Sequence, residues 1–350
     1  MLIKFILFLL IFMVIVLVHE GGHFIIGKRS GIHVEEFSIG LGPTIWGFMH
    51  NGTKYSIKLL PFGGLCMFEG LDMDDEDAEP GEGSFLKAPV WSRIATVAAG
   101  PIMNLVLAFF LSLFVISSVG YDAPVVYNVM EGYPAAEAGI SAGDEILKIG
   151  SKRIEIYRDI SLYMLLNEKK TVDITYRHEG QKHTVSVTPK YDESTGRYLF
   201  GLYGSGERKK GNVIDTVRYS LVEVRYWIEA TWKGLGMIFA QRVTLDDVSG
   251  PVGVAQTVGE VYESSKSDGI YYIWLNMMEL TILLTANLGV MNLLPIPALD
   301  GGRLVFLLIE ALTKRKVGQN IEALVHFVGM CVLLVFMVFV MYNDITKLFK

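Results

Sequence analysis

Between Phe5 and Ile26 the chain reads FILFLLIFMVIVLVHEGGHFII, an apolar run interrupted by His19, Glu20 and His23. A helix that crosses the hydrocarbon core of a bilayer needs about 20 apolar residues, each rising about 1.5 Å. Phe5–Val18 alone is too short. The run reaches membrane thickness only by continuing through the histidines to Phe24-Ile25-Ile26. Two imidazoles and a carboxylate are therefore expected at membrane depth, where ionisable groups are expensive and mark functional sites. A signal peptide beginning near Lys4 is the competing reading. It predicts a small-residue cleavage site ahead of the histidines, and the sequence has none there.

Composition agrees with a membrane protein. The chain has 350 residues, 51% of them hydrophobic, and a mean hydropathy of +0.39, above the range of ordinary soluble domains. A net charge of −6 argues against nucleic acid as a partner. The two cysteines, Cys66 and Cys331, fall in a polar loop and an apolar run, so neither a disulfide nor a cysteine-based metal site is expected.

Three further apolar spans follow, at Ile94–Ser118, Ile273–Leu294 and Leu324–Tyr342, with a shorter run at Leu304–Leu312 that reads as a half-span or interfacial helix. Between the first two spans, Lys54–Leu60 alternates like a strand, Pro61 and Gly63-Gly64 supply a turn, and Leu65–Phe68 returns as a second strand. Such a hairpin near the membrane offers an edge to an extended peptide. The acidic run Glu69–Asp77 reads as a solvated loop, because the spacing of a calcium loop is absent.

Charge rises and hydropathy falls over 121–205, where Val125–Val129, Glu145–Ile149, Thr171–Tyr176 and His183–Val187 read as strands of an inserted soluble domain. Residues 206–272 are assigned to amphipathic connecting helices. Within them, Asn212–Gln241 carries Tyr219, Tyr226, Trp227 and Trp232, and reads either as an interfacial helix or as a core-facing aromatic stripe. The remaining parts are a membrane portion at 1–120 and another at 273–350. Lys28-Arg29 and Lys314-Arg315-Lys316 fall on one side if four spans alternate. The positive-inside rule makes that side cytoplasmic and the inserted domain extracytoplasmic.

The chemistry lies in the interrupted run. On a helix, residues four apart share a face, so His19 and His23 can direct two ring nitrogens at one Zn²⁺, with Glu20 beside them as a base. A catalytic zinc takes three protein ligands, and Glu279, Asp300, Glu310 and His326 are the candidates at membrane depth. Asp300 is favoured. It follows Pro295 and Pro297, which break the third span, and irregular backbone at that depth belongs where it lines a buried or watery cavity.

These residues resemble the site-2 protease family of intramembrane zinc metalloproteases, in its RseP-like bacterial branch. The resemblance rests on His19-Glu20-Gly21-Gly22-His23-Phe24, Glu36–Gly40, Pro61-Phe62-Gly63-Gly64, Ala99-Gly100-Pro101-Ile102-Met103-Asn104, Ser249–Gly253, Asn292–Gly302 and Tyr342–Ile345. Pro134–Ile140 and Gly143–Ile146 resemble a PDZ domain. The fold implied is a polytopic α-helical membrane protein of about four transmembrane helices, with a membrane-associated β-hairpin and one inserted PDZ-like domain. The resemblance further implies that His19, His23 and Asp300 bind zinc and that Glu20 is the catalytic base. Asn292, Gly63 and Gly64 are implied to meet the substrate, a transmembrane segment of a single-pass protein such as an anti-sigma factor or a signal-peptide remnant. The setting implied is the bacterial cell membrane, with the active site toward the cytoplasm and the PDZ-like domain outside, open to substrate or regulator peptides. One departure is Leu65-Cys66, where the family usually has an aromatic residue after the glycine pair. The alternative is a membrane adaptor with a peptide-binding domain and no catalysis, which has no use for Glu20.

Overall fold

A computed structural model describes residues 2–71, 81–167, 169–204, 208–242 and 248–348. Most of the acidic run, from Asp72 to Asp77, lies outside the described residues. Two compact units are formed, one from Met1–Leu111 with Trp227–Lys350, the other from Ser112–Tyr226.

In the first unit, α1 (Leu2–Arg29) leads into β1 (Val34–His50), β2 (Thr53–Phe68) and α2 (Val90–Val119). Among the described residues four helices are long and apolar enough to cross a membrane: α1, α2, Ile270–Asn292 and Asn320–Lys347. They coincide with the four apolar spans of the sequence. Phe8, Ile11 and Ile15 of α1 pack with Val258 and Met277 in one buried cluster. Ile32, Val34, Phe68, Phe85, Val97 and Leu307 form another, beneath the strands.

The hairpin differs from the sequence expectation in its pairing. Its tip is Asn51-Gly52, with φ of +47° and +77°, the two left-handed residues of a type I′ turn. Around that tip Thr44–His50 pairs with Thr53–Lys58. Leu65–Phe68 does not return along Lys54–Leu60. It pairs with Val34–Ser38, whose other side carries Lys54–Ser56 with partners that ascend together. Strand β1 can fold back on itself because Gly40 and Gly42 take φ of +88° and +89°. A side chain at Gly40 would also meet the Leu60 carbonyl at 2.4 Å. The result is a sheet in which Gly64–Phe68 is an outer strand. Ile45, Trp46, Phe48, Met49, Leu59 and Leu60 are exposed on it.

The second unit holds β3 (Val126–Val129), α3 (Pro134–Glu137), β4 (Glu145–Ile149), β5 (Lys152–Arg153), α4 (Arg158–Leu166), β6 (Val172–His178), β7 (Gln181–Val187), β8 (Lys190–Asp192), β9 (Arg197–Leu199) and β10 (Leu202–Gly204). The order β5-β4-β6-β7 makes one antiparallel sheet, and β10 pairs with β3. Ile146, Ile149, Ile160, Ile174 and Phe200 fill its core. A cavity of about 440 Å³ lies between α4 and the β9–β10 segment, lined by Met130, Ile160, Met164, Leu199, Phe200 and Leu202. At its rim the Ser194 and Tyr133 hydroxyls donate to Asp192 and hold that carboxyl well below its ordinary range.

Helix α5 (Val213–Phe239) follows, then α6 (Pro251–Ser265), α7 (Ile270–Asn292), α8 (Asp300–Thr313) and α9 (Gln319–Leu348). The aromatic residues of α5 divide between the two readings. Tyr219 stacks on Tyr121 at 3.6 Å and Tyr226 lies under the Arg158 guanidinium at 4.9 Å, whereas Trp232 is exposed. Asp344 of α9 accepts hydrogen bonds from the backbone N–H groups of Gly250 and Gly253, which caps α6.

Candidate metal centre

Helical spacing brings His19 and His23 to one face of α1, and both rings are buried. Close helix crossing makes room for them. At Gly22 a side chain would meet the Ala99 carbonyl at 2.5 Å, and at Gly100 it would meet the His23 ring at 2.2 Å. So α2 lies directly against the motif. The third candidate arrives from the far end of the chain. Helix α7 ends at Asn292, Leu293–Leu299 runs without regular helix, and Asp300 opens α8.

These elements bring His19 Nε2 to 3.1 Å and His23 Nε2 to 3.5 Å from Asp300 Oδ2. The two Nε2 atoms are 3.3 Å apart. Zinc bonds of about 2.0–2.1 Å in a tetrahedral site place neighbouring ligand atoms about 3.3–3.4 Å apart, so the three atoms already stand at the separations such an ion requires. Their chemistry agrees. His23 Nδ1 faces the Thr96 carbonyl at 2.9 Å. A carbonyl only accepts, so the ring proton sits on Nδ1 and Nε2 presents a lone pair to the centre. Among the described residues this is the one group of His, Cys, Asp or Glu side chains close enough to share a metal ion.

The other ligand candidates are engaged elsewhere. Glu310 pairs with the buried Arg93, whose Nη1 donates to Oε2 at 3.0 Å. His326 accepts the Ala298 N–H at its Nδ1, 3.0 Å away, and Ala298 takes a left-handed φ of +72°. His326 thus shapes the loop before Asp300. Glu279 is not part of the three-residue group.

Glu20 follows His19 in α1 and borders the centre. A side chain at Gly64 would meet the Glu20 Cγ at 2.9 Å. The outer strand Gly64–Phe68 therefore runs beside Glu20. Asn292 Nδ2 is 3.5 Å from His19 Nε2. Gly63 lies one residue before this strand segment, with φ +76° and the Leu41 side chain beside it. Sequence reasoning missed Asn104, which is wholly buried and places its amide against the outer nitrogen of His19. An Asn inside the apolar second span was the available signal.

Comparison with known proteins bears on this arrangement. Residues 7–336 match Peptidase family M50. This chain belongs to Peptidase family M50. It is 30% identical over 419 residues to the zinc metalloprotease RasP of Geobacillus kaustophilus, covering 98% of this chain and 97% of that one. It is likewise 30% identical over 421 residues to the regulator of sigma-W protease RasP of Bacillus subtilis, covering 98% of each. A Clostridium acetobutylicum protein that its name places among the zinc metalloproteases is 33% identical over 337 residues, with 96% of each chain covered. Among solved structures, the PDZ domain of an SdrC-like protein from Listeria monocytogenes aligns with 25% of this chain and 94% of its own, at 23% identity and a TM-score of 0.23. Family membership makes this M50 chain a zinc metallopeptidase, an enzyme rather than an adaptor.

Proposed function

We propose that this M50 metallopeptidase cleaves transmembrane segments of single-pass membrane proteins, as a step of regulated intramembrane proteolysis. The observation that carries the reading is the ligand set His19, His23 and Asp300, gathered at zinc-bonding separations from helices of membrane-spanning length and hydropathy. Those three residues would hold zinc. When bound, the ion supplies Lewis-acid polarisation and acidifies water.

The chain's own residues do the rest. Glu20 takes the proton from the attacking water and returns it to the amide nitrogen as the peptide bond breaks, leaving a carboxylate and an amine. Asn292 aims its side-chain amide into the centre, where it donates to the oxyanion that forms on the substrate carbonyl. A helical substrate shields its own peptide bonds. Pairing along the outer edge of Gly64–Phe68, next to Glu20, gives an unwound segment replacement hydrogen bonds.

In this reading the exposed apolar residues Trp46, Phe48 and Leu60 of the hairpin face lipid. By the positive-inside rule, Lys28-Arg29 and Lys314–Lys316 support a site that opens toward the cytoplasm and an inserted domain that is extracytoplasmic. The inserted domain acts as a PDZ-like module whose cavity between α4 and β9–β10 receives substrate or regulator peptides. Anti-sigma factors and signal-peptide remnants fit the substrate class.

The test is cleavage of a transmembrane reporter by purified, zinc-loaded protein with and without Glu20→Gln. General acid–base catalysis is worth about 10²–10⁴-fold, so the variant is expected to lose activity by that order while keeping its zinc. Equal cleavage by the two proteins would overturn the assignment.

A further inference from the structure

We infer that Asn104 is a positioning residue for the metal centre, its side-chain oxygen accepting the Nδ1–H of His19 and so reserving Nε2 for zinc. The inference rests on the metal reading above. It concerns a residue to which the motif chemistry assigns no role.

Three observations lead to it. His19 Nε2 faces the centre, toward Asp300 Oδ2 at 3.1 Å and His23 Nε2 at 3.3 Å. A neutral imidazole that offers Nε2 to a metal carries its proton on Nδ1, and that proton needs an acceptor when the ring is buried. The side-chain group that meets His19 Nδ1 is the Asn104 amide, with its Nδ2 at 3.2 Å. Asn104 is wholly buried.

In that orientation two donors would face each other once zinc is held, and the amide oxygen Oδ1 is left buried with no hydrogen-bond partner. The alternative is a proton on Nε2, aimed at the centre, which would disqualify His19 as a ligand. The oxygen and nitrogen of an amide are assigned from their hydrogen-bond surroundings. Turning the Asn104 amide over brings Oδ1 onto the Nδ1–H and gives the stranded oxygen a donor. His23 has the same arrangement from a main-chain group, with the Thr96 carbonyl at 2.9 Å from its Nδ1. Helix α2 thus fixes the tautomer of both imidazoles, one through a carbonyl and one through an amide. Its own position is held by Thr285 of α7, whose hydroxyl donates to the Asn104 carbonyl at 3.1 Å.

The experiment uses the full chain in detergent micelles and measures zinc affinity by competition with a chromophoric chelator. Asn104→Leu keeps the volume and removes the acceptor. Asn104→Asp keeps the acceptor. Loss of an outer partner weakens metal binding about 10–100-fold, so Asn104→Leu is expected to fall by that amount and Asn104→Asp to stay within about threefold of wild type. Zinc binding by Asn104→Leu equal to wild type, or equal weakening of both variants, would overturn the inference. Wild-type protein that takes up no zinc would overturn the metal reading itself, which separates the two failures.

Should Asn104→Leu not fold, the His19 Nδ1 proton resonance decides the matter in histidine-labelled wild type and Asn104→Asp. It is expected to move downfield when a carboxylate oxygen replaces the amide oxygen. An unmoved resonance would overturn the inference.

Discussion

In the unit formed by Met1–Leu111 and Trp227–Lys350, polar side chains converge inside helices that are otherwise apolar: His19, His23, Asn104 and Thr285 are all buried there, with Asp300 beside them. In the Ser112–Tyr226 unit the centre is aliphatic, built on Ile146, Ile149, Ile160 and Ile174. Its wholly buried carboxylate Asp159 is neutralised by two cations, Lys152 at 3.1 Å and the part-exposed Arg225 at 3.0 Å. Burial means different things in the two. The inserted domain buries apolar area for stability. The membrane unit has no such gain from lipid to protein, so a buried polar cluster there is retained for what it binds.

The comparison breaks most visibly at Asp300. Asp300→Asn removes the charged ligand, and zinc affinity should fall by more than the about 100-fold that marks the upper range for outer partners. Equilibrium chelator competition measures it, and the protein should remain folded. An unchanged affinity would place the metal elsewhere. The next largest effect concerns Arg93, which is 4% exposed and ion-paired to Glu310. Arg93→Met alone leaves the half-buried Glu310 carboxylate unpaired and should destabilise the membrane unit by up to about 3–5 kcal/mol, whereas Arg93→Met with Glu310→Met should recover most of that. Denaturant titration in micelles reads both.

Ile146→Ala sharpens the contrast from the other side. It empties a wholly buried position in the inserted domain and should cost about 2–5 kcal/mol there. Hydrogen exchange should then quicken in β4 and β6, and zinc binding should be unaffected. The smallest effect is a pH dependence. The Asp144 carboxylate, hydrogen-bonded to His178 Nδ1 at 2.6 Å, raises the His178 pKa above its ordinary value. A raised folded-state pKa stabilises the domain below the ordinary value of about 6.5 and loses that contribution as pH climbs through the raised one. Exchange protection at the β4–β6 pair should therefore fall slightly on going from pH 6 to pH 8, and His178→Gln should abolish the difference.

Much of the membrane unit was legible in the sequence because lipid imposes long, uninterrupted apolar runs. The same contrast exposed His19, Glu20 and His23. Asp300 was legible through Pro295 and Pro297, which forbid a continuous third helix. The hairpin was misread in its pairing. Asn51-Gly52 is a strong type I′ signal, but Pro61 and Gly63-Gly64 competed with it, and no local pattern says that Val34–Ser38 will lie between two later segments. In the inserted domain the short strands β8 to β10, of three residues each, carry too little periodicity to register. Arg93 and Glu310 are 217 residues apart, and nothing local to either names its partner. Asn104 belongs to the same class, since its meaning comes only from the ring that α1 places against it.

Zinc K-edge X-ray absorption on the purified full chain tests the central claim most directly. A metal held by His19, His23 and Asp300 predicts a first shell of nitrogen and oxygen only, with outer-shell scattering from two imidazoles that drops to one in His19→Ala. Sulfur in the first shell, or two imidazoles persisting in that variant, would contradict it.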